Sequence, residues 1–65
     1  MEKLSTNLKN LRKSFGLTQK QLADKLNVNR SVYNRYECGK RKIPIMILWK
    51  LADFFKTSID KLVRG

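Results

Sequence analysis

Leu4, Leu8, Leu11 and Phe15 recur at spacings of four, three and four, which places them on one narrow stripe of a first helix that Gly16 stops. A second helix opens at Thr18, a good N-cap; Gln21 completes a T-x-x-Q capping box, and Leu22, Ala23 and Leu26 supply the apolar face. Asn27 breaks that pattern, because asparagine enters the left-handed region at small cost and so suits a tight turn directly after a helix. Val28 is expected to drop toward the core, and Asn29 is the N-cap of a third helix, Arg30 to Glu37, with Gly39 as its C′ residue. Ile43-Pro44 marks a further boundary, since proline fits a first helical turn and biases its predecessor away from helix. In the fourth helix Ile45, Ile47, Leu48, Trp49, Leu51, Ala52, Phe54 and Phe55 cover an arc of roughly 220°, about twice the stripe of an ordinary surface helix, so that helix is either central or shared. Ser58 caps a short fifth helix, with Asp60 in its first turn and Ile59 and Leu62 facing inward. The pattern predicts an all-α, compact five-helix domain spanning residues 1–65, with no competing strand pattern.

The polar positions carry the chemistry. At about 100° per residue the third helix turns Val32, Tyr33 and Tyr36 to one side and gathers Arg30, Ser31, Asn34 and Arg35 within an arc of about 140° on the other. Arginine bonds guanine bidentately, asparagine does the same to adenine, and serine bonds either, so this face suits base edges in a major groove; the bland alternative is a solvated polar face. Composition favours the first. Fifteen Lys and Arg against five Asp and Glu give a formal charge of +10, and so basic a surface seeks a polyanion. Lys40, Arg41 and Lys42, directly beyond the third helix, suit a phosphate clamp, the alternative being an ordinary basic loop. A cationic amphipathic helix can also lie on a membrane, but leucines confined to a narrow stripe fit a small helical core better.

The longest apolar run, Ile45 to Trp49, falls far short of the roughly 18 residues of a membrane span, and the opening MEKLST has no apolar signal region, so a cytoplasmic protein without membrane contact is expected. One cysteine, Cys38, and no histidine leave neither an internal disulfide nor a zinc site. The carboxylates are scattered singly, no serine has a histidine base, and no glycine-rich phosphate loop exists. No enzymatic activity, metal, cofactor or small-molecule ligand is therefore expected.

The segments GLTQKQLADKLNV, NRSVYNRYECGKRK, LWKLADFF and SIDKL together resemble the lambda-repressor-like helix-turn-helix regulators known as the XRE family, over nearly the whole chain. That resemblance implies a helix-turn-helix formed by helices two and three, with Thr18 to Leu26 crossing the phosphate backbone and Arg30 to Glu37 in the major groove. By the same resemblance Thr18 and Gln19 stand at the backbone, Gln19 bonding a phosphate, while Asn29, Arg30, Ser31, Asn34 and Arg35 read bases and Val32 touches a thymine methyl. The resemblance also implies that Arg12 and Glu37 form a largely buried ion pair. Three positions depart from the family pattern: Asn27 replaces a turn glycine, Tyr33 stands where a smaller Ile is commoner, and Ile45 occupies a place where some relatives carry a minor-groove arginine, a role left to Arg41.

The resulting reading is a sequence-specific regulator, a repressor by occupancy, acting as a homodimer on a palindromic operator in double-stranded DNA. Met46, Trp49 and Val63 form the expected dimer interface, because Met46 and Trp49 exceed what one small core can cover and Val63 closes the chain nearby. The alternative from another class is an antitoxin-like or anti-repressor module that grips a protein partner with the apolar fourth helix.

Overall fold

A computed structural model describes residues 2–64; Met1 and Gly65, the ends of the predicted domain, lie outside the described residues. Five helices follow in order: α1 (Glu2–Ser14), α2 (Gln19–Leu26), α3 (Arg30–Glu37), α4 (Ile45–Phe54) and α5 (Ile59–Arg64). No strand occurs among the described residues.

Side chains close the helix starts. Thr18 Oγ1 accepts from Gln21 N at 3.1 Å while Gln21 Oε1 accepts from Thr18 N at 2.9 Å, the reciprocal capping box. Asn29 Oδ1 accepts from Ser31 N at the head of α3, and Ser58 Oγ from Lys61 N at the head of α5. Pro44 stands at the N-cap of α4 without a side-chain cap.

The first four helices all end in one way. Beyond α1, α2, α3 and α4 stand Gly16, Asn27, Gly39 and Lys56 with φ of 69°, 58°, 71° and 56°. At each, that residue's N–H and the next one's N–H reach back to paired carbonyls: Leu17 N to Arg12 O, Val28 N to Ala23 O, Lys40 N to Arg35 O and Thr57 N to Ala52 O. This is the Schellman closure, which satisfies the last carbonyls and reverses the chain within two residues. Lys56 holds a left-handed conformation for which its side chain offers no local preference, and nothing in the sequence signalled it.

One core results. Leu4 and Leu8 from α1, Leu22, Ala23 and Leu26 from α2, Tyr33 and Tyr36 from α3, Ile47, Leu48 and Leu51 from α4, Phe55, and Leu62 from α5 are all buried together. α1 packs on α3 and α5, α2 on α3 and α4, and α4 on α5. Polar ties cross these contacts: Ser5 Oγ donates to Tyr36 O, Asn7 Nδ2 to Leu62 O, and Lys50 Nζ to Leu26 O at the end of α2.

One expectation needs correction. Phe15 lies past the end of α1 and is half exposed, because α1 stops at Ser14; its ring instead packs edge-on against Phe55 at 4.8 Å between centroids. The wide apolar arc of α4 is only partly used: Ile47, Leu48 and Leu51 are buried, whereas Ile45, Met46 and Trp49 are 53%, 59% and 56% exposed. Val28 and Val32 pack against the core but are only partly buried.

Candidate nucleic-acid interface

The two ends of the turn between α2 and α3 are both fixed locally, Asn27 by its left-handed backbone and Asn29 by its cap, so the relative placement of the two helices is set by three intervening residues. α3 then buries Tyr33 and Tyr36 and leaves Arg30, Ser31, Asn34 and Arg35 exposed. The side chains of Arg30 and Arg35 make no hydrogen bond or ion pair among the described residues. Asn29 and Ser31 are already engaged with each other: Asn29 Oδ1 accepts from both the backbone N and the hydroxyl of Ser31, at 2.8 and 2.6 Å. Lys40, Arg41 and Lys42 are all exposed in the segment between α3 and α4.

Behind this face sits a polar cluster centred on Glu37. Arg12 donates to its carboxylate through Nε at 2.5 Å and Nη2 at 3.3 Å, and through Nη1 to Leu17 O at 2.7 Å. The Tyr33 hydroxyl, one turn back on the same helix, donates to Glu37 Oε2. Gln19 Nε2 completes the set, donating to Glu37 Oε1 at 3.1 Å and to Asn34 Oδ1 at 3.0 Å. The Arg12 and Glu37 side chains are 10% and 3% exposed, so the pair that the family resemblance implied lies inside the domain, joining α1 to α3.

The ionisation of the cluster follows from these bonds. Burial pushes the Glu37 carboxyl up, but hydrogen bonds from Arg12, Tyr33 and Gln19 outweigh it and hold the group below its ordinary value of 4.5. The bond to Glu37 raises Arg12 further, and burial followed by the bond to the same carboxylate pushes the Tyr33 hydroxyl well above its usual range. At neutral pH the cluster is one carboxylate, one guanidinium and a neutral phenol. Glu37 is therefore neutralised from behind, and the cations of the α3 face and of Lys40 to Lys42 meet no opposing carboxylate on α3.

Tyr33 and Glu37 are four residues apart on one helix, so their contact was readable from spacing. Gln19 reaching across to α3 was not, because it depends on where α2 is set against α3. With both Nε2 hydrogens directed to Glu37 and Asn34, the donor that Gln19 has left is its backbone N–H in the first turn of α2.

The geometry is that of a five-helix helix-turn-helix domain, with α2 and α3 as the motif. A helix-turn-helix family model matches residues 8–62, and the chain belongs to that family, in its XRE branch. YqaE of Bacillus subtilis (strain 168), an uncharacterised HTH-type transcriptional regulator, is 39% identical over 61 residues, 94% of this chain and 53% of that protein. The cryptic phage CTXphi transcriptional repressor RstR of Vibrio cholerae is 37% identical over 60 residues, 92% of this chain and 54% of its own. This chain thus spans about half the length of the curated relatives it matches. Among solved structures, the restriction-modification controller protein C.AhdI from Aeromonas hydrophila superposes with a TM-score of 0.85 at 30% identity, covering 94% of this chain and 92% of that one. ClgR, the clp gene regulator of Corynebacterium glutamicum, has the same TM-score at 21% identity and shares the fold.

Proposed function

We propose that this chain is a cytoplasmic, sequence-specific DNA-binding transcriptional regulator that represses by occupying a palindromic operator as a homodimer. The observation that carries the reading is the α3 face: Arg30, Ser31, Asn34 and Arg35 stand exposed on a helix whose own carboxylate is buried against Arg12. Hydrogen-bonding groups on a rigid helix, set beside the start of α2, suit base edges in the major groove with phosphates flanking them. Thr18, Gln19 and Lys40 to Lys42 supply the phosphate contacts, and Asn29 stands at the edge of the base-reading face.

One such helix reads only a few base pairs, and a two-fold pair doubles that information. The exposed Met46 and Trp49 on α4, with Val63 on α5, are the surface through which two copies join. No metal, cofactor or small-molecule ligand enters this scheme.

Selection of bound sequences from a random duplex pool tests it. The expected result is an approximate palindrome with half-sites about 10–10.5 base pairs apart, one turn of the duplex; enrichment of no sequence would refute DNA reading, and a single unpaired half-site would refute the dimer. The exposed apolar α4 also supports a second reading, capture of a different protein by that face, which predicts a monomer in sedimentation equilibrium of the free chain.

A further inference from the structure

We propose that α4 pairs antiparallel with α4 of a second copy, so that each Asp53 lies against the start of the other copy's α4. The proposal rests on the homodimer reading and deepens it by naming how the two faces meet.

At about 100° per residue, Ile45, Trp49, Asp53 and Met46 share one arc of about 100° on α4. All four are exposed, so the stripe is apolar with one carboxylate set among its members. That carboxylate is unpaired. Of the three aspartates, Asp24 holds Lys20 and Asp60 holds Arg64, each one turn away on its own helix, whereas the Asp53 side chain has no hydrogen bond or ion pair among the described residues. Its place on α4 gives it no support either: it stands in the last turn, where the helix dipole disfavours an anion, and Lys50 on the same helix turns to Leu26 O instead. A chain of net charge +10 therefore carries a free anion within its apolar stripe, and what complements that stripe is an apolar surface with a positive region at one end.

A second copy has such a surface when it is turned one way. About a two-fold axis running along the helices, α4 meets its twin in parallel and every residue faces its own counterpart, which sets Asp53 against Asp53 and aligns the dipoles. With the axis perpendicular to the helices at Trp49, midway between Ile45 and Asp53, they run antiparallel; Trp49 meets Trp49, and Asp53, about 6 Å along the axis, meets the second copy's Ile45. That end of α4 is the positive end of its dipole, has no acidic residue in its first turn, and follows the exposed Lys40, Arg41 and Lys42. Ile45 is the residue that Asp53 touches, so the phosphate contacts of those three cations stand. The antiparallel pair replaces one repulsion with two attractions flanking an apolar centre, between chains whose net charges otherwise repel.

Cross-linking tests the orientation in a Cys38→Ser background, which leaves engineered thiols alone. Chains carrying Ile45→Cys or Asp53→Cys are oxidised singly and as an equal mixture, with Met46 and Trp49 retained to hold the register. The mixed disulfide is expected to form on the order of tenfold faster than either self-linked dimer. Sedimentation equilibrium tests the charge. Asp53→Lys should raise the dimer dissociation constant on the order of tenfold, while its melt, taken at a dilution where the chain is monomeric, holds or rises because a cation suits the last turn of a helix. Fastest self-linking of Asp53→Cys, or an Asp53→Lys dimer as tight as the parent's, would overturn the inference and leave the homodimer standing. A dimeric parent whose variants do not cross-link overturns it as well, by placing the contact elsewhere. A parent that stays monomeric at every concentration, with duplex DNA and without, removes the homodimer itself.

Discussion

Glu37 accepts from Arg12, Tyr33 and Gln19 and is almost wholly enclosed, which makes it the single side chain with the most to lose. Removing one partner of such a pair leaves a buried charge without compensation, a loss of about 3–5 kcal/mol in a domain whose whole stability is of order 3–10 kcal/mol. Glu37→Ala is therefore expected to melt many degrees below the parent or not to fold, checked by circular dichroism. The pH dependence has a definite sign. The folded carboxyl titrates below its ordinary 4.5, so the stability it contributes is complete above that value and is lost as pH falls through the folded value. An acid titration of the melting temperature should show this limb in the parent, and Glu37→Gln should flatten it. Arg35 and Lys42 are both exposed cations with different expected roles. Arg35→Ala should relax base preference at one or two positions by about 1–3 kcal/mol each, while Lys42→Ala should weaken all sequences nearly equally, a contrast that selected-site sequencing beside nonspecific titrations resolves.

At the scale of elements, four helices end in the same left-handed closure, but with residues of unequal suitability. Gly16 and Gly39 adopt positive φ without a Cβ penalty, and Asn27 tolerates it, whereas Lys56 at φ 56° bears a cost of roughly 1–2 kcal/mol. Lys56→Gly is expected to stabilise the domain by about 1 kcal/mol, net of the extra freedom glycine has when unfolded, and to raise Tm by about 4–8 °C. No gain in the melt would mean that the Lys56 side chain contributes packing that offsets its backbone strain. Gly39 is constrained twice, since a Cβ there would also stand 3.3 Å from Ser5 Oγ, the hydroxyl that ties α1 to the end of α3.

For the molecule as a whole, a charge of +10 and three exposed apolar side chains on α4 govern behaviour in solution. Contacts to about 6–10 phosphates would reduce affinity by about 10³–10⁵ between roughly 50 and 200 mM salt, and a flat binding titration over that range would contradict the proposed interface. Met46→Lys would place like charges across the dimer contact proposed on α4 and should raise the dimer dissociation constant on the order of tenfold or more, read by sedimentation equilibrium. Because Met46 is exposed in the single domain, the melt of the monomer should barely change.

What the sequence determined by itself is what local rules determine. The Thr18–Gln21 capping box, the Asn27 turn, the Asn29 cap and Gly39 set the boundaries of α2 and α3 through contacts within a few residues, so they were legible along the chain. The split of α3 into buried tyrosines and exposed Arg30, Ser31, Asn34 and Arg35 followed from helical period alone. Tertiary structure decided what spacing leaves open. A 220° apolar arc cannot say which part meets the core, and only the packing of α4 on α2 and α5 buries Ile47, Leu48 and Leu51 while exposing Ile45, Met46 and Trp49. Lys56 adopts the left-handed region in the closure that bonds Thr57 N to Ala52 O, although its own side chain does not favour it. Gln19, fifteen residues from Asn34 and eighteen from Glu37, joins them only once α2 is seated on α3. Its bonds depend on the placement of a second helix, which no periodicity within one helix encodes.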